Sequence, residues 1–515
     1  MVTDPYLHMS MANQANQRSR GTDAYPQFRV EAAKRWSENP TPENAWHVEE
    51  GTLYWVGGGE ETLIYNRFFR DVIPKLDYHV EVQGGTEKSN YYASMGWVDQ
   101  PGIFKPEHRG ESFQRLNANL KVELNVADWL TLNENLAYTN NKQDYPHYYT
   151  NQAEWNMLQR TGVSYYTGGF PSTDLFDVPD FPGRDYSEYE GMYIGSNHFI
   201  PYYERGGRDL EDTYDLYLTQ GVTINPIENL EFRGNFTFRQ FNRRRENVRS
   251  EIEKLNGIFN GTIDLLQDEM ITPGYSSPTF IENEYDQNQY YYLYAVGEYD
   301  LSNEVTPHDF KAMVGFNQEW NINRYGYMQA YDMITPAIQS IRATSGDQIV
   351  RSNEGHLALR GVFSRLNYSY DNRYLLEFSG RYDGTSRFPG DDRWGFFPSG
   401  SAGWRISEEN FLNGVDFLSN FMLRASYGEI GNNQVPSFQW LSTYNLGSNG
   451  YPFGMAGETS LGLVSGVLPN EFITWEVSKV TNFGMDAVFW HGLLGMTVEV
   501  FQQKRSNILA KRDLA

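Results

Sequence analysis

Cysteine is absent from the 515-residue chain. That excludes a disulfide framework, Cys-ligated zinc, iron–sulfur clusters and thiol nucleophiles together. Basic residues are scarce: 42 Lys and Arg stand against 66 Asp and Glu, a formal net charge of −24. A nucleic-acid-binding surface needs the opposite sign, so no nucleic-acid partner is expected. No run approaches the ~20 consecutive apolar residues of a membrane-crossing helix, and mean hydropathy is −0.61. The opening stretch from Met1 to Met11 has no basic segment followed by an apolar one, so no signal peptide is legible. GxSxG, HExxH, Walker A and dinucleotide-binding motifs are all missing. The 9 His residues show no metal-ligand spacing. The chain is read as not an enzyme.

What it has in excess is aromatic side chains: 37 Tyr, 31 Phe and 12 Trp make up 16% of the residues. So many rings need something to pack against, which argues against disorder. The strongest pattern is alternation with period two. Leu116, Ala118, Leu120, Val122 and Leu124 share one parity, and Arg115, Asn117, Asn119, Lys121 and Glu123 share the other. Leu230, Phe232, Gly234, Phe236 and Phe238 alternate in the same way with Glu231, Arg233, Asn235, Thr237 and Arg239. Such strands have one apolar and one polar face. One fault stands out: Glu134 falls on the apolar parity of Leu130, Leu132, Leu136 and Tyr138.

A soluble sandwich would cover the apolar faces with a second sheet, whereas a transmembrane barrel would turn them toward lipid. Connection lengths favour the barrel. Asn125–Asp128, Asn225–Asn229, Asp371–Arg373 and His491–Leu493 read as tight turns. The stretches Asn141–Glu211, Phe241–Asn288 and Asn323–Glu354 run to roughly 70, 45 and 30 residues, far beyond the usual loop of ~4–6. Trp129, Tyr370, Tyr374, Phe417, Phe421 and Trp490 flank the tight turns, where an interfacial girdle would sit. The fold class is therefore all-β: an antiparallel transmembrane β-barrel segment of about fourteen strands, from 78–84 to 494–505, not closed. Short periplasmic turns and long extracellular loops join the strands. Residues 1–76 are expected to be a plug-to-barrel junction, mostly irregular with a short helix, and 77–515 a partial barrel.

Three stretches carry a family resemblance. Arg381 to Glu408 (RYDGTSRFPGDDRWGFFPSGSAGWRISE), Val82 to Val98 (VQGGTEKSNYYASMGWV) and Leu423 to Asn433 (LRASYGEIGNN) resemble, in order and spacing, the SusC/RagA-type TonB-linked outer-membrane proteins of Bacteroidota. The resemblance implies nutrient import of a glycan or peptide across the outer membrane. It also implies a SusD-like surface lipoprotein as lid, and energy from the TonB complex through a plug. Against the family pattern the chain looks like an internal fragment lacking signal peptide, plug and the C-terminal part of the barrel. Two alternatives remain: a soluble all-β glycan-binding or surface-adhesion protein, and a non-functional truncated fragment with bare sheet edges.

Within the signature, Tyr382-Asp383-Gly384 and Pro389-Gly390-Asp391 read as turns, and Trp394, Phe396, Phe397 and Trp404 as rings packing around the following strand. Tyr148, Tyr149, Trp155, Tyr165, Tyr166 and Tyr189, in the longest loop, are candidates for substrate or lid contact, because sugars stack apolar C–H faces on rings. Tyr290–Tyr292, Tyr294 and Trp440 are further candidates. Lumen or plug-facing charges are Arg233, Arg239, Arg381, Arg424 and Asp486, with Lys121, Glu123, Glu377 and Glu499 beside them. Asp174, Asp177 and Asp180 carry oxygen ligands suited to Ca²⁺, although their spacing is not that of an EF-hand. No other cofactor is expected.

Overall fold

The computed structural model describes residues 4–57, 69–105, 110–147, 205–251, 253–255, 257–258, 262–264, 271–273, 278–302, 306–412, 414–453, 458–466 and 468–509. Its main feature is one 14-stranded antiparallel sheet in which spatial order is chain order. The strands are β1 (Leu76–Thr86), β2 (Ser89–Pro101), β3 (Ser112–Ala127), β4 (Leu130–Pro146), β5 (Arg208–Ile227), β6 (Leu230–Arg249) and β7 (Phe280–Asp300). They continue with β8 (His308–Tyr331), β9 (Gln348–Tyr370), β10 (Tyr374–Thr385), β11 (Trp394–Arg405), β12 (Leu418–Asn432), β13 (Glu476–Phe489) and β14 (Leu494–Ser506). The sheet is not closed: among the described residues β1 and β14 each pair on one side only.

The apolar parity is exposed. Val314, Phe396 and Phe483 are each 62% accessible and Val500 68%, with Phe232, Val362 and Phe378 also open. Among the described residues no second sheet covers them, and the sandwich expectation falls on that point. An uncovered face of this size needs an apolar medium. At the tight-turn end Trp129, Tyr370, Tyr374, Phe417 and Trp490 are exposed. Tyr374 stacks on Trp404 at 6.4 Å and Phe417 on Phe489 at 6.4 Å, so a ring belt borders the sheet there. In the Asp371–Arg373 turn both Asp371 and Asn372 have positive φ (50° and 53°), the type I′ geometry that favours these two residue types.

Several strands run further than alternation predicts. β6 extends to Arg249, β7 begins at Phe280, β8 reaches Tyr331 and β9 begins at Gln348. The long connections are correspondingly shorter than the sequence suggests. Where these extensions begin, both faces are polar: Gln240 bonds Gln289, and Arg324 bonds Gln287 and Glu354, on the otherwise apolar parity. Beyond the membrane the pattern has no reason to alternate, so the signal disappears while pairing continues. Glu134 stays on the apolar parity, opposite Val122 and Gln220.

Residues 4–55 hold more structure than the single short helix expected: α1 (Pro5–Arg20), α2 (Gln27–Glu38) and a hairpin of Trp46–Glu49 with Thr52–Trp55. Asp4 caps α1 by accepting from the Leu7 amide at 2.7 Å, Pro5 opens the helix, and Gly21 ends it at φ 72°. Alternation missed α1 because PYLHMSMANQANQRSR is polar on almost every side. Met9, Val30, Ala32, Ala33 and Val56 form its small core. The Arg29 guanidinium lies over Tyr25 and Tyr54 and donates to the Trp55 carbonyl at 3.1 Å. Thr52–Trp55 then pairs with Thr262–Asp264 from the connection between β6 and β7.

An Arg at Val362, on the exposed apolar face, should cost about 2–4 kcal/mol in lipid vesicles. Asn135→Arg, on the polar face, should cost less than about 1 kcal/mol. Denaturant titration of the chain reconstituted in phosphocholine vesicles measures both.

Candidate functional site

Period two places every second side chain of β5, β6 and β7 on the polar face, and the register sets cation beside carboxylate. Arg243 lies between Thr213 and Asp286, and Arg245 between Glu211 and Glu284. Arg245 is bidentate to Asp209 at 2.8 and 2.6 Å, with Glu284 and Glu282 at 3.7 and 3.8 Å. Arg243 reaches Asp286 and Glu284, both at 2.7 Å, and Glu211 at 3.5 Å. These residues lie toward the ends away from the tight turns and form a charge-assisted network in which each guanidinium serves several acids. At the same rim His147 sits edge-on to Phe280 at 5.3 Å and donates from Nδ1 to Asn247 Oδ1 at 2.6 Å. Burial pushes the His147 pKa below its ordinary 6.5.

Nearer the middle of the sheet runs an aromatic lane. Tyr290, Tyr292 and Tyr294 share the polar face of β7, with ring centroids 6.5 and 6.4 Å apart and near-parallel planes. Tyr294 meets Phe363 of β9 at 5.9 Å, and Phe363 lies 5.1 Å under the Arg381 guanidinium. Phe363 reaches Tyr294 across β8 by lying over Gly315, where a Cβ would overlap its ring. Tyr291, on the opposite parity, meets Phe238 at 5.2 Å on the apolar face. Parity therefore removes Tyr291 from the group proposed by sequence.

Of the other sequence-selected charges, all but Lys121 and Glu123 are in ion pairs. Arg239 is bidentate to Asp215 at 2.9 and 2.8 Å and stacks on Tyr217. Arg233 bonds Glu231 at 2.7 Å and approaches Glu298 at 3.5 Å. Arg381 binds Asp383 and Asn317. Arg424 holds Asp486 at 2.9 Å and also Glu499, crossing β13 at Gly484, where a side chain would collide with it. Glu123 accepts from Asn90 and Glu377 faces Arg365 at 3.9 Å. Asp309, Lys311, Glu377, Ser401, Arg424 and Asn482 line a concavity of about 690 Å³ on this part of the wall. Gly315 and Gly484 were not singled out by sequence: glycine within a strand is a signal of close approach only once the register is known.

The loop residues Tyr148, Tyr149, Trp155, Tyr165, Tyr166, Tyr189, Asp174, Asp177 and Asp180 lie outside the described residues. Among the described residues no group of three or more His, Asp or Glu is placed to hold a metal ion. In the signature, Tyr382-Asp383-Gly384 is strand rather than turn, while Gly390 does turn, with φ 41°. Trp394 stacks on Tyr382 at 5.0 Å, and only Phe397 of the four named rings enters a core, with Phe388, Ile473 and Trp475. Trp440 packs against that same core, a structural position. Arg387 donates to the carbonyls of Asn433 and Val435 at 3.1 and 2.7 Å, fixing the connection before β13.

A model of the TonB dependent receptor-like β-barrel matches residues 193–514. The chain belongs to this family. TonB-dependent receptors are barrel proteins of the outer membrane, and the exposed apolar face and ring belt of this sheet fit that surrounding. The chain is 27% identical over 462 residues to the TonB-dependent receptor SusC of Bacteroides thetaiotaomicron, covering 86% of this chain and 42% of that protein. It is 24% identical over 451 residues to the TonB-dependent receptor P39 of Formosa agariphila, covering 84% and 37%. The RagAB peptide importer in its "closed-closed" state superposes with a TM-score of 0.61 at 17% identity, over 98% of this chain and 52% of that one. A second structure, of the RagAB peptide transporter, gives 0.60 at 18%, over 86% and 45%. These two structures speak for the TonB-dependent receptor fold alone. The chain spans less than half the length of the two curated relatives.

Arg245→Gln should lower stability by about 1.5–3 kcal/mol, because it removes charge-assisted bonds from partly buried carboxylates; chemical denaturation in detergent measures this. The His147 contribution has the sign of a depressed pKa: present above 6.5, and lost as pH falls through the lowered folded value. The protection of the Asn247 and Phe280 amides, taken as the ratio of the intrinsic to the measured exchange rate at each pH, should therefore fall between about pH 7.5 and about pH 5.

Proposed function

We propose that the chain is the barrel portion of a TonB-dependent importer of a glycan or peptide, and that it performs no catalysis. The observation that carries this reading is the division of the sheet into an exposed apolar face and a polar face of fixed ion pairs. Outer-membrane lipid surrounds the first face, and the second lines the passage. Arg233, Arg381, Arg424 and Asp486, near the tight turns, offer a charged wall for a plug segment on which the TonB complex acts. Arg239 and the tyrosines of β7 stand further out, where cargo enters. A SusD-like surface lipoprotein closes over the long connections, with Tyr148, Tyr149, Trp155, Tyr165, Tyr166 and Tyr189 as its contacts or those of the cargo. Ca²⁺ at Asp174, Asp177 and Asp180 is a subsidiary proposal. A second reading, that the isolated polypeptide transports nothing, draws on the two sheet edges at β1 and β14 left without a second partner among the described residues.

Deleting the coding segment in its host should abolish growth on one oligosaccharide or peptide source, with the same deficit as loss of TonB. Growth unaffected on every such source overturns the importer reading.

A further inference from the structure

We infer that Tyr290, Tyr292 and Tyr294 of β7, continued by Phe363, form a stacking lane for a neutral oligosaccharide on the inner wall; the inference rests on the importer reading and names its cargo. Ring spacing is the first argument. The centroid separations of 6.5 and 6.4 Å follow the two-residue repeat of a strand, about 6.6 Å. They are not set by closest ring packing, and the three rings remain only half-buried. Each residue keeps part of its surface for another partner.

The flanking lanes supply the second argument. On β8 the residues beside the rings are Asn317, Glu319, Asn321 and Asn323, and on β6 they are Asn235, Thr237 and Arg239. Tyr290 donates to Glu319 at 2.9 Å, and Asn288 donates to Asn321 at 2.7 Å. Arg239 is already neutralised by Asp215 and Arg381 by Asp383. An apolar track bordered by amides, by ion-paired arginines and by Glu319, which accepts from Tyr290, suits a ligand that carries many hydroxyls. Sugar C–H faces stack on the rings, and hydroxyls exchange bonds with the amides on both sides.

The lane also explains Gly315. Any side chain there would push Phe363 off Tyr294 and cut the track.

The test uses the full chain in detergent micelles, titrated by calorimetry with neutral hexasaccharides of glucose, xylose, mannose and galactose, and with an uncharged hexapeptide as contrast. At least one hexasaccharide should bind and the peptide should not. Tyr292→Ala should weaken that binding about tenfold, and Tyr292→Phe, which keeps the ring, less than about threefold. Tyr291→Ala, on the lipid side, should leave it unchanged, and Gly315→Ala should weaken it. Heat-modifiable gel mobility checks that each variant is folded. Binding by none of the sugars, indifference to Tyr292→Ala, or preference for the peptide overturns the lane. The importer reading would survive those results if the growth deficit on deletion holds, so the two failures are separable.

Discussion

Inside a hydrocarbon layer a backbone N–H or C=O has no water to bond, and each one left unpaired costs several kcal/mol. Every strand from β2 to β13 meets this constraint by pairing along both sides with its neighbours in chain order. Much follows from it. Antiparallel pairing in chain order needs only short turns at one end, leaving all large connections at the other. It also fixes which side chains share a face, because a slip of one residue would move every apolar group to the wet side. The polar face inherits its neighbours from the same ladder: Arg243 meets Asp286 because of register, not of any local motif.

The charged network illustrates how the two faces differ in precision. On the apolar face the demand is chemical and loose, and most ring or branched side chains serve. On the polar face Arg239, Arg243, Arg245, Arg381 and Arg424 each bond at least one named acid, and their geometry tolerates little displacement. A chain with net charge −24 therefore does not present a diffuse acidic wall there. Its arginines hold many of the carboxylates in fixed places.

Sequence showed the fold well where lipid imposes alternation, as in Leu230–Phe238, and poorly where it does not. Asn242 to Arg245 and Asn283 to Gln289 belong to strands, yet both parities are polar and period two is lost. A short helix was expected somewhere in residues 1–76, but α1 could not be placed because few apolar residues mark a face, although its cap residues Asp4, Pro5 and Gly21 were there to read. For the site, parity was enough to put Arg233, Arg239, Arg381, Arg424 and Asp486 on one face, and it separates Tyr291 from Tyr290 and Tyr292. It could not supply partners. That Arg424 reaches Glu499 over Gly484, or that Phe363 lies over Gly315, depends on lateral register between strands far apart in sequence, which a single chain does not print.

The pairing of Thr52–Trp55 with Thr262–Asp264 joins the leader ahead of β1 to the outer connection between β6 and β7. It works as a tether anchored at both ends. Drawing the leader away means peeling that short ladder apart, and a shift of the outer connection pulls on the leader in turn. The connection between β6 and β7 and the segment that carries α1 and α2 are thereby held side by side, although some two hundred residues of chain separate them.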